Sequence, residues 1–349
     1  MLKDKKIQKD IRFDIMRCFM AYLVVQLHVS AYNTMPGMKS WEWYLGYNVL
    51  GRIAVPIFYM ISGAILIRKQ ESIGKIYRRM IFKIVIPLIL ISVGYAFYRY
   101  VVSEERIFDI IFSIPYRATY YHLPFLYTMI GYYLMLPLLQ GAWREMTITT
   151  KRVLVGLCVM QSIIISFLSG IGFMKQQFLF SLSPIPYYIT YALIGSLLVD
   201  WLETDKKRGK IVVLGGLVYF ICSCCTWMLT IRKFELQDQW LAYWSPITLV
   251  GSCGAFCMMY CLFEHCLFSD KYKRIIFVTS KYSFGIYLVH PFFLDILFRY
   301  MNVSLDVYRV PLVSIAICLI SLFCLLSVDM FGVKLRYVFS KVITKSKEV

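Results

Sequence analysis

Arg17 and His28 stand 11 residues apart inside the first apolar stretch of the chain. At helical pitch that separation turns through about 1100°, only about 20° past three full turns, over a rise of about 16.5 Å. Both side chains therefore share one helix face. Asp10, Asp14, Ala21, Val24 and Tyr32 follow the same stripe at three- and four-residue steps. Between the two polar residues the stripe is small or β-branched, the pattern of a groove with a cation at its mouth and an imidazole deep inside. Imidazole is the side chain that exchanges a proton near neutrality. The plainer alternative is that Asp14 pairs with Arg17 at i,i+3 to neutralise a helix end, while His28 is a hydrogen-bonded packing residue.

Two further apolar stretches carry matching polar groups. In the second, Asn48, Arg52, Pro56 and Tyr59 lie close to one face, and Pro56 frees a backbone carbonyl that protein or water must satisfy. Ser62 and Gly63 follow, a small pair that permits close helix approach or serves packing alone. Near the other end of the chain, Ser283, Tyr287 and His290 occupy one face at i, i+4 and i+7. His122 stands beside Tyr120 and Tyr121 at the start of a fourth stretch, where an interfacial role is the competing explanation.

The elements that must position these groups follow from composition. Of 349 residues, 59% are hydrophobic and 17% charged, and the mean hydropathy is +0.64, more apolar than a water-soluble fold of this length needs. The apolar residues arrive in runs about 20 long, enough for a helix to cross ~30 Å of hydrocarbon. This predicts an all-α polytopic membrane protein with ten spans, near 13–33, 45–67, 81–101, 121–140, 152–171, 184–202, 210–230, 242–264, 279–300 and 310–331. The first is too long, and too interrupted by Asp14, Arg17 and His28, for a cleaved secretory signal. Placing both termini in the cytoplasm puts roughly three times as many Lys and Arg inside as outside. No loop is long enough to bury a core of its own, so residues 1–349 are expected to form one integral-membrane domain in the plasma membrane.

The same topology accounts for the net charge of +18. The positives are spread over six cytoplasmic segments rather than gathered on one surface, which argues against nucleic acid as a partner. Most of the 11 cysteines lie in apolar spans, where Cys behaves as a small hydrophobe. Cys253, Cys257 and Cys261 repeat along one face without a His or carboxylate to complete a tetrahedral set, so no metal is expected.

Four segments then carry a resemblance: Arg17-x10-His28; Val55-Pro-Ile-Phe-Tyr-Met-Ile-Ser-Gly63; Tyr282-Ser-Phe-Gly-Ile-Tyr-Leu-Val-His-Pro291; and, more weakly, Tyr121-His-Leu-Pro-Phe-Leu126, where Pro124 stands at a common Trp position. In order and spacing the chain resembles the acyltransferase 3 family of integral-membrane acyltransferases, in its stand-alone form without an appended esterase-like domain. The resemblance implies transfer of an acyl group, usually acetyl from acetyl-coenzyme A, to a hydroxyl of a cell-surface carbohydrate or its lipid-linked precursor. It also implies a catalytic role for the histidine at His28 and an essential one for the arginine at Arg17.

That chemistry needs a base for the attacking hydroxyl, and His28 is the candidate; an acyl-histidine intermediate is the minor variant. Arg17, Arg52, Tyr59 or a backbone amide near Ser62 could stabilise the tetrahedral oxyanion. His122, Tyr287 and His290 are candidate acceptor contacts. Lys75, Arg78, Arg79 and Lys83 could grip the phosphates of coenzyme A, or could be topological positive charge alone. The rival reading is an exporter or flippase for polysaccharide or lipid-linked sugar, with the same polar face lining its path and no acyl donor. Uptake of a small molecule is a weaker third.

Overall fold

A computed structural model describes residues 10–103, 105–170, 187–205, 207–233, 238–266, 268–301 and 305–345. The described residues form α1 (Ile11–Ala31), α2 (Trp41–Gly51), α3 (Ala54–Leu66), α4 (Ile73–Met80), α5 (Ile86–Ser103), α6 (Ile107–Ser113), α7 (Pro124–Glu145), α8 (Ile148–Gly170), α9 (Tyr187–Thr204), α10 (Arg208–Lys233), α11 (Asp238–Leu241), α12 (Pro246–Leu262), α13 (Asp270–Asp295) and α14 (Val310–Lys345). There is no strand among them.

Among the described residues, five stretches are long and apolar enough to cross a membrane: Ile11–Ala31, Trp41–Leu66, Ile73–Ser103, Arg208–Arg232 and Val307–Met330. The other segments expected to span lie largely on helices where they are described, with parts of the 152–171 and 184–202 segments outside the described residues. Of these, α12 is short. α7 and α13 are long, but tyrosines, serines, Gln140, Lys281 and His290 dilute their apolar character.

Proline explains where the expected spans break. The second is interrupted after Gly51 and resumes at Ala54. Pro56 has no N–H, and its ring presses on the carbonyl four residues earlier, which is that of Arg52. Likewise Pro87 follows a π-helical turn at Ile81–Val85, a turn that widens the helix where a normal hydrogen bond is lost. Pro124 and Pro246 sit at helix starts, where the missing N–H costs nothing. α13 and α14 extend beyond the apolar segments expected from hydropathy. Asp270 to Arg274 are exposed, because hydropathy marks the bilayer-facing part of a helix and not its ends.

The chain divides into two compact units, one of residues up to Ala54 together with those from Phe263 onward, the other Val55–Leu262. In the first, α1 packs on α2, α13 and α14. Val25, Val29, Tyr44, Ile286, Leu294, Leu305, Val310 and Ile317 form its buried core. Asp10 caps α1 by accepting the Arg12 backbone N–H at 2.9 Å, satisfying one of the open donors of the first turn.

In the second unit α10 packs along α12, and α9 meets α3 and α7. Gln140 ties the end of α3 down, donating to the Leu66 carbonyl at 2.8 Å. Arg68 bonds Glu203 at 2.7 Å and Asp200 at 3.0 Å.

Candidate functional site

The α1 stripe is held in place by α13. Asp14, 5% exposed, accepts the Ser280 hydroxyl at 2.7 Å and the Arg17 guanidinium at 3.2 Å. A carboxylate in that setting needs both partners, since an unpaired buried charge is costly. The i,i+3 pair therefore forms, and Arg17 keeps a partly exposed guanidinium. Ser280 lies three residues before Ser283 on the face that also carries Tyr287 and His290. Extending that face by one step in the sequence would have found it.

About three turns further along α1, His28 meets His290, their rings 5.2 Å apart between centroids. His290 is fully buried. Its Nδ1 lies 2.8 Å from the Tyr287 carbonyl and 3.1 Å from that of Ile286. Carbonyl oxygens only accept, so Nδ1 carries a proton, and in the neutral ring Nε2 is left as the acceptor. His28 is only half-buried, between the buried Leu27 and Val29. Tyr287 completes the group, its ring 6.1 Å from that of His290.

Arg52 belongs to the same unit. It terminates α2, where a cation complements the helix dipole. Its Nε donates to the Asn48 side chain at 3.0 Å, and Asn48 in turn donates to the Leu27 carbonyl at 3.3 Å. This chain of bonds fixes the guanidinium beside the carbonyl that precedes His28, within electrostatic reach of the imidazole.

The remaining candidates lie in the second unit. Tyr59 is fully buried; its hydroxyl shares a 2.6 Å hydrogen bond with Thr128, and its ring stacks on Tyr188 at 5.2 Å. Phe125 and Tyr132 close the cluster, and Ser62 lies beside the Tyr132 hydroxyl. His122 is 5% exposed, caged by the rings of Tyr95, Tyr120 and Tyr121 at 5.4 to 5.9 Å.

The basic run is not uniform. Arg79 binds Glu71 at 2.6 Å and Lys75 reaches the same carboxylate at 3.5 Å. Arg78 lies over the Phe82 ring, and Lys83 is exposed. Glu71, eight residues before Arg79, went unread in the sequence because nothing in that spacing marks the pair.

The hydrogen bond from Arg79 holds the Glu71 carboxyl below its ordinary range. A depressed carboxyl contributes stability that is present above its unfolded-state value and lost as pH falls through the folded-state one. Glu71→Gln is therefore expected to lower thermal stability in detergent at neutral pH, and the gap from the unaltered protein should close on acidification below the normal carboxylate range. A gap independent of pH would assign the pair no electrostatic role.

Among the described residues no group of three or more His, Cys, Asp or Glu is placed to hold a metal ion. A family model described as an acyltransferase domain matches residues 10–330. Neither the curated proteins nor the solved structures contain a match.

Proposed function

Because the chain belongs to the acyltransferase 3 family, we propose that it is a plasma-membrane O-acyltransferase moving acetyl from acetyl-coenzyme A to a hydroxyl of a cell-surface carbohydrate or its lipid-linked precursor. The observation that carries this reading is the His28–His290 pair, two imidazoles in ring contact on apolar helices, one of them with its tautomer set by backbone carbonyls.

In the reaction the acceptor hydroxyl oxygen attacks the thioester carbonyl carbon while His28 takes the hydroxyl proton. The tetrahedral intermediate then collapses, the C–S bond breaks, and the proton passes to the departing thiolate. The products are the acetyl ester and free coenzyme A. His290, its ring against that of His28, orients the imidazole toward the hydroxyl. Arg52 is the cation in reach of the developing oxyanion. Arg17, held by Asp14, lies further along the same face.

On this reading there are ten spans, with both termini in the cytoplasm. Lys75, Arg78 and Lys83 then face the coenzyme A phosphates, with Arg79 anchored by Glu71 and shaping the turn between α3 and α4. No metal takes part.

The test is transfer of labelled acetyl from acetyl-coenzyme A to glycan in membranes containing the protein, followed by mass spectrometry of surface glycans from cells with and without the gene. Label in a glycan ester, present only with the gene, is the expected result. Coenzyme-independent movement of a sugar across the membrane without labelled ester would establish the exporter reading instead.

A further inference from the structure

At the C-terminal end of α1 the first unit holds a cavity of about 460 Å³ lined by Tyr32, Asn33, Lys39, Tyr44, Phe298 and Asp306, among others. Tyr32 is the next member of the α1 stripe after His28, one turn and about 6 Å along the axis. The cavity thus lies about one helical turn beyond the position of His28 on α1.

Several lining side chains are held by hydrogen bonds. The Tyr32 hydroxyl donates to Asp295 at 2.6 Å, and its ring lies 4.6 Å from that of Phe298. The Tyr44 hydroxyl is spent on the Leu305 carbonyl. Asp306 is oriented by Arg309 at 3.2 Å and by the Tyr308 hydroxyl at 3.1 Å. The loop from Asn33 to Ser40 turns through two left-handed residues, Gly37 at φ 89° and Ser40 at φ 60°. A serine in that region costs of order 1 kcal/mol or more, and such residues cluster at binding sites.

The chemistry of this lining selects its ligand. Aromatic rings offer faces to the C–H side of a sugar ring, while a carboxylate, an amide and an ammonium offer acceptors and donors to hydroxyls. The mixed polarity disfavours an acyl chain. The volume suits roughly one or two sugar rings.

We propose that this cavity is the acceptor site, seating a sugar ring with one hydroxyl directed along α1 to His28. The assignment rests on the acyltransferase reading above and adds to it the place of the acceptor.

Lys39 and Asp306 are exposed, so Lys39→Ala and Asp306→Ala should leave the fold intact, as monodisperse elution and unchanged melting would verify. The assay uses the full chain in nanodiscs, acetyl-coenzyme A, and glycan extracted from cells lacking the gene. The expected result is a tenfold or greater rise in KM for the glycan in each variant, with KM for acetyl-coenzyme A unchanged. Lys273→Ala, at the other end of the unit's α13, should alter neither. Glycan KM values equal to that of the unaltered protein overturn the cavity assignment while leaving the acyltransferase reading in place. An unaltered protein that transfers no acetyl overturns that reading, and the acceptor site with it.

Discussion

His28→Ala is expected to lower acetyl transfer by about 10²- to 10⁴-fold, the usual contribution of a positioned general base, while the protein still accumulates in the membrane. The fold should survive because His28 is half-buried and its ring meets His290 rather than the apolar core. Removing it leaves no buried charge without a partner. His28→Gln sharpens the result, since glutamine keeps hydrogen-bonding atoms at a similar reach but takes no proton. Loss of transfer in both variants supports proton exchange at position 28. Full activity in the glutamine variant would instead mean that His28 serves only as a hydrogen-bonding group, as an exporter would require. Membrane abundance, measured beside activity, separates lost chemistry from lost protein.

Much of this geometry was legible in the chain because it is local. The α1 stripe depends on helical pitch alone, and the Asp14–Arg17 pair that forms was one of the readings its spacing allowed. Contacts between distant segments were not legible. His28 and His290 were each identified as polar residues in apolar helices, yet nothing in a lone sequence states that these two rings meet. Asp14 to Ser280 and Tyr32 to Asp295 are hidden for the same reason. Tyr59 shows the opposite difficulty. It shares a helix face with Asn48 and Arg52 and is one of several candidate oxyanion donors, and only packing reveals the hydrogen bond its hydroxyl shares with Thr128 inside an aromatic cluster. Pro56 frees a carbonyl, and the physical consequence is a two-residue interruption between α2 and α3, with Arg52 held within it.

The second large effect lies away from the imidazoles. A Cβ added at Gly63 would stand 1.8 Å from the Ala192 carbonyl oxygen, and one at Gly195 would stand 2.2 Å from that of Met60. Both obstacles are backbone, so no rotamer change relieves them. α3 and α9 would have to separate, losing the close packing and dispersion contacts that hold membrane helices together in the absence of a hydrophobic drive between them. Overpacking of a flexible core costs about 1 to 3 kcal/mol, and a rigid backbone obstacle should exceed that range. Gly63→Val and Gly195→Val are therefore expected to abolish monodisperse elution in detergent or lower the melting temperature by more than about 10 °C. Gly131→Val, where nothing lies within 4 Å of the added Cβ, is the matched control and carries only the small cost of a β-branched residue in a helix. Equal behaviour of the three variants would mean that α3 and α9 do not approach each other at these glycines. The expected ordering instead assigns Gly63 to packing, independent of any part its neighbour Ser62 plays in chemistry.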